Sequence, residues 1–112
     1  MNKERLLRLA DRIETATDFN MRDYHYCFAG QTIAEFKPEP VYNPITDALS
    51  RHNTARRALD LTKRQSEDLF TPSVHLWRDR GINNVHAITN KQGAAVLRHF
   101  AATEKVDFSI CQ

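Results

Sequence analysis

Apolar residues recur along this chain at helical spacing, and the pattern predicts one helix after another. Leu6, Leu9, Ala10 and Ile13 form a single stripe on a helix expected over about Lys3–Thr15. Arg5, Arg8, Asp11, Arg12 and Glu14 lie mostly off that stripe, and Glu4 and Arg8 have the spacing of a favourable i,i+4 pair. Ala16-Thr17-Asp18 breaks the pattern. A second helix is expected over Tyr24–Phe36, capped by Asn20 or Asp23 and rich in aromatic residues. Gly30 lies inside it at a cost of about 1 kcal/mol against alanine, which points to a close helix–helix approach. Lys37-Pro38-Glu39-Pro40 is stiff and extended. With Tyr42-Asn43-Pro44 it reads as a loop over the core, not as a boundary between domains.

The second half repeats one device. Thr62-Lys63-Arg64-Gln65 and Thr89-Asn90-Lys91-Gln92 both read Thr-x-x-Gln ahead of an apolar-periodic run. In such a capping box the threonine hydroxyl accepts from the third helical N–H, and the glutamine reaches back to the cap's own N–H. Neither box has a full hydrophobic staple. Leu61 and Ile88 suit the position before the cap, but Ser66 and Gly93 stand where an apolar partner belongs. The surrounding residues do not align further, so there is no internal repeat. A third helix is expected from Thr46 or Asp47 to Leu59, with Ala48, Leu49, Ala55, Ala58 and Leu59 on its apolar side. The first box opens a fourth helix over Lys63–Phe70, with Leu69 and Phe70 inward. The second opens a last helix over about Asn90–Glu104, which buries Ala94, Leu97, Phe100 and Ala101 and shows a basic stripe of Lys91, Arg98 and Lys105. Ser73–Ala87 is compatible with a short helix plus a loop and equally with irregular structure. Val106-Asp107-Phe108-Ser109-Ile110 alternates and predicts an extended tail on the core. The expected fold is all-α: one compact domain over residues 1–112, a bundle of about five helices.

Composition narrows the class. A chain of 112 residues with three glycines, four prolines and mixed charge reads as one folded domain. No apolar run approaches the roughly 20 residues of a membrane span. The first five residues lack the run-up to a signal-peptide core, so the expectation is a cytoplasmic protein. Cys27 and Cys111 are read as thiols, the first buried as a small hydrophobe and the second loose in the tail. The net charge of +2 allows an acidic partner without demanding one.

No catalytic or metal-ligating signature stands out. Tyr24-His25-Tyr26-Cys27 offers one His–Cys pair, whereas structural zinc sites need two. Ser50, Ser66, Ser73 and Ser109 lie in no nucleophile elbow, and there is no P-loop or glycine-rich dinucleotide turn. The expectation is a non-enzyme without cofactor or metal. Two groups remain as candidate partner-binding residues. Trp77, Arg78 and Arg80 are of the types enriched at interface hot spots, although Trp77 equally suits a cap on the core. Arg56, Arg57 and Arg64 belong to a basic run with Arg51, His52 and Lys63 across the junction of helices three and four. That junction is superficially a helix-turn-helix, but it lacks the usual glycine and Glu67 and Asp68 soon dilute its charge, which is the pattern of a solvated basic face.

Three segments resemble a group of small uncharacterised proteins of bacteria, phages and prophages: Leu6–Glu14, Cys27-Phe28-Ala29-Gly30-Gln31, and Ile88–Phe100 with Val106-Asp107-Phe108. Leu69-Phe70-Thr71-Pro72 also fits. Members of the group carry a further Cys-Gly pair upstream of the Cys27 position and a histidine at the Gln31 position. This chain has neither, so no site built on those residues carries over. The resemblance implies a phage or mobile-element context. With size and class, it gives the expected function: a small non-enzymatic binding protein contacting a host protein, most sharply an inhibitor of a host defence system such as an anti-CRISPR protein. The alternative is a small nucleic-acid-binding regulator using the basic helical face.

Overall fold

The computed structural model describes residues 1–71 and 88–111. They form five α-helices, α1 (Lys3–Thr15), α2 (Phe28–Phe36), α3 (Asp47–Ala58), α4 (Lys63–Phe70) and α5 (Asn90–Thr103), then a 3-10 turn at Phe108–Cys111. No strand occurs among the described residues, and the fold is all-α, as the periodicity predicts.

α1 forms where expected. The Asn2 side chain accepts from Arg5 N at 3.0 Å, capping the first turn. The stripe Leu6, Leu9, Ala10 and Ile13 is fully buried, chiefly against α5. On α5 the buried face is the predicted Ala94, Leu97, Phe100 and Ala101, joined by Val96 and Gly93. Two polar links brace the pair. Asn90 Nδ2 donates to the Ile13 carbonyl at 2.9 Å and to that of Ala16, satisfying carbonyls at the end of α1. Arg98 reaches Asp11 at 2.9 Å and Glu14 at 2.6 Å, so it is not part of a free basic stripe. The hydrogen bond from Arg98 also holds the Glu14 carboxyl below its ordinary range.

Both capping boxes close. Gln65 N donates to Thr62 Oγ1 at 3.1 Å and Thr62 N to Gln65 Oε1 at 3.0 Å; the equivalent bonds of Thr89 and Gln92 are 3.2 and 2.8 Å. The missing staple residues have other uses. Ser66 is buried and its hydroxyl donates to the Lys63 carbonyl. Gly93 seats the Phe19 ring, which would lie 2.9 Å from any added Cβ.

Four expectations need correction. α2 starts at Phe28, not Tyr24, because Asn20 and Asp23 spend their capping capacity on local turns. Asn20 Oδ1 accepts from Arg22 N, Asp23 Oδ1 from His25 N, and the Asp23 carbonyl from Tyr26 N and Cys27 N. Gly30 does not admit another helix. A Cβ there would stand 2.1 Å from the His25 carbonyl oxygen, so the close approach is to the turn that precedes α2. The tail is not extended: Asp107 Oδ1 accepts from Ser109 N and coils Phe108–Cys111 into a 3-10 turn, with Phe108 buried and Ile110 exposed. Cys111 is not loose, since Gln92 Nε2 donates to its carbonyl at 2.8 Å. Both cysteines are free, and Cys27 is buried as expected.

The proline-rich loop lies along α3. Val41 N donates to Thr54 Oγ1 at 2.8 Å and Asn43 N to Ser50 Oγ at 2.7 Å. α3 buries Thr54, Ala55 and Ala58, and Leu59 just past its end is buried too, but Leu49 is exposed. Ser73–Ala87, left open by the sequence, lies outside the described residues.

Candidate functional site

The basic run divides once it is folded. Arg51 Nε donates to the Tyr24 carbonyl at 3.2 Å, fastening α3 to the turn before α2. His52 packs its ring on Phe70 with centroids 5.7 Å apart, joining α3 to α4. Burial there pushes the His52 imidazole below its ordinary value, and the nearby Arg51 charge adds to the effect. These two residues are therefore structural. Arg56, Arg57, Lys63 and Arg64 flank the α3–α4 turn. Arg57, Lys63 and Arg64 are exposed and Arg56 is half-buried. Arg64 pairs with Asp68 one helical turn on at 3.4 Å. Among the described residues, the side chains of Arg56, Arg57 and Lys63 make no hydrogen bond or ion pair.

The turn itself is Leu59-Asp60-Leu61-Thr62. Leu59 and Leu61 are buried, and Asp60 adopts φ 54°, the left-handed conformation in which glycine is usual. The sequence lacks the glycine, yet the backbone makes the same bend. Aspartate is among the residues that tolerate it. The amino end of α1 braces the turn: Asn2 N donates to the Leu59 carbonyl at 2.8 Å and Arg5 Nη1 to the Ala58 carbonyl at 2.9 Å. Both bonds fall on the electronegative carboxyl end of α3.

A second surface was not singled out by sequence. All three tyrosines of the chain are exposed, whereas Phe28 and Phe100 are fully buried and Phe70 and Phe108 nearly so. Tyr42 is 82% and Ile45 76% exposed, and Leu49 is open one turn into α3. The Arg51 bond to the Tyr24 carbonyl brings the Tyr24-His25-Tyr26 arm to the same helix, and Tyr24 and His25 stack at 4.4 Å. Ile45 stands just before the cap of α3, where an apolar residue four helical positions on would cover it; that position holds Ser50. This mismatch was the available signal.

The described cleft of about 580 Å³ lies between α1 and α2 and is lined by Arg8, Arg12, Glu35, Asp11 and Asp18 among others. Its charges are spent internally. Glu35 accepts from Arg8 at 3.1 Å and Arg12 at 3.0 Å; the hydrogen bond from Arg12 most strongly holds its carboxyl below the ordinary range, with burial opposing. Arg8 thus pairs across the helices with Glu35, not with Glu4. Gln31 is buried and makes three bonds: its Oε1 accepts from Arg12 Nε, and its Nε2 donates to Asp18 and the Tyr26 carbonyl. The signal was two matched i,i+4 ladders, Arg8–Arg12 on α1 and Gln31–Glu35 on α2. This is a brace between helices. Trp77, Arg78 and Arg80 lie outside the described residues. Among the described residues, no group of three or more His, Cys, Asp and Glu is placed to hold a metal, and no helix is long and apolar enough to cross a membrane.

No family model, curated protein or solved structure matches this chain.

Proposed function

We propose that this chain is a small non-enzymatic binding protein of phage or mobile-element type that works in the cytoplasm by covering the surface of a host protein. In its sharpest form it inhibits a host defence system, as an anti-CRISPR protein does. The observation that carries the reading is the exposure of Tyr42, Ile45 and Leu49 at the start of α3. Large apolar groups stay in water there on a frame that hydrogen bonds hold still. Tyrosine is enriched where proteins meet because it offers apolar area and a polar tip at low entropic cost. Trp77, Arg78 and Arg80 are the further contact residues on this reading.

The test is a tagged pull-down from host lysate, with and without nuclease, using the wild type and two variants, Tyr42→Ala/Ile45→Asp and Trp77→Ala. The expected result is a stoichiometric protein that survives nuclease and is lost with the first variant, whose substitutions are exposed and leave the circular dichroism unchanged. Recovery of nucleic acid alone, or of partners that disappear on nuclease treatment, would sink the reading. The basic residues around the α3–α4 turn favour the alternative reading, a small nucleic-acid-binding regulator that uses this basic helical face.

A further inference from the structure

We infer that α3, the Leu59–Thr62 turn and α4 form a helix-turn-helix that places α4 in the major groove of duplex DNA, an inference that rests on the nucleic-acid reading of the basic face. Four observations converge on it. Two helices are joined by a four-residue turn whose Asp60 takes the left-handed bend, φ 54°. The turn is anchored by buried Leu59 and Leu61 and by the His52–Phe70 contact, so the two helices are held as a unit. α4 buries Ser66, Leu69 and Phe70, while the side chains it leaves to solvent, Lys63, Arg64 and Glu67, are all polar. That surface lacks the apolar anchors a protein partner would need, and beside its two cations it carries one acceptor, Glu67, of the type that takes a hydrogen bond from a base edge. Lastly, Arg56, Arg57, Lys63 and Arg64 place four cations around the turn, three of them free of ion pairs among the described residues. They match a phosphate backbone in sign.

Duplex DNA follows from shape. α4 has eight residues and is about 12 Å long at 1.5 Å per residue. A helix fits the major groove of B-form DNA, whereas the deep, narrow major groove of A-form RNA does not admit side chains. No stacking aromatic stands on α4 to favour a single strand; its one aromatic, Phe70, is buried.

The test is fluorescence anisotropy with a labelled pool of random-sequence duplexes, the matching single strands and duplex RNA, using the full chain. Four phosphate contacts predict that duplex affinity falls about a hundredfold between roughly 50 and 200 mM salt. Duplex DNA is expected to bind more tightly than either other probe. Arg57→Gln/Lys63→Gln, both exposed, should weaken it tenfold or more and lower the salt slope by about two contacts. Sequencing the bound duplexes should show a short preferred site that changes with Glu67→Ala. Binding to all three probes alike, or to DNA with no effect of Arg57→Gln/Lys63→Gln, would overturn the helix-turn-helix and leave the nucleic-acid reading standing. Absence of binding to every probe at the lower salt would overturn both.

Discussion

Gly30 shows how one residue decides where a helix begins. Nothing larger than hydrogen fits there, because the His25 carbonyl oxygen and carbon lie 2.1 and 2.2 Å from where a Cβ would stand. Both are backbone atoms, so relief requires moving the turn or the helix. Gly30→Ala is therefore expected to destabilise the protein despite alanine's better helix propensity, by about 2 kcal/mol or more, as overpacked sites do. Urea denaturation checks this, and a variant as stable as wild type would mean that the turn moves freely. Asp60 is the opposite case. It bears a side chain where glycine is usual, and Asp60→Val should cost about 1–2 kcal/mol through the left-handed backbone, besides losing the exposed ion pair of the Asp60 carboxylate with the Met1 ammonium at 3.3 Å. Asp60→Gly should fold at least as well as Asp60→Val by the same assay. If valine proved harmless, the bend that joins α3 to α4 would not be a constraint.

At the scale of elements, what was legible was whatever is local. α1, α4 and the start of α5 stand where the sequence puts them, because a cap and the stripe behind it lie within a few residues of one another. Thr62 and Thr89 needed no tertiary information to be read as caps. Thr62→Ala should cost about 1 kcal/mol and loosen α4 specifically, since its hydroxyl serves the Gln65 N–H and the packing of Leu69 and Phe70 is untouched. Hydrogen exchange should show faster exchange at the first turn of α4 and little change in α1; uniform acceleration would mean that α4 opens only with the whole fold. α2 starts later than the pattern predicts because two adjacent structures compete for the same capping residues. The tail differs from the extended form that its alternation predicts because one buried Phe108 beside an exposed Ile110 fits a 3-10 turn as well.

For the molecule as a whole, the pairing of α1 with α5 and the brace of Arg8 and Arg12 on Gln31 and Glu35 join segments distant in sequence. Its stability should report the acid titration of His52. The folded pKa lies below the ordinary 6.5, so the unfolded chain takes up a proton that the fold resists. The contribution is fully present above the unfolded value and falls away as pH drops through it toward the folded one. The urea midpoint should therefore fall as pH drops below about 6.5, and His52→Gln should flatten that step. An unchanged slope in the variant would assign the step to other groups.

The sequence by itself determined the all-α class, the stripe of α1, the buried face of α5 and both capping boxes. Each depends on the 3.6-residue period or on a hydrogen bond spanning three residues. Tertiary structure decided the rest. It withdrew Arg51, His52 and Arg98 from the basic surface, left Tyr42 and Ile45 in water, turned Arg8 from Glu4 to Glu35, and bent Asp60 into the conformation of the missing glycine. A side chain's surroundings depend on which distant segment the core brings beside it, and periodicity within one helix carries no record of that neighbour.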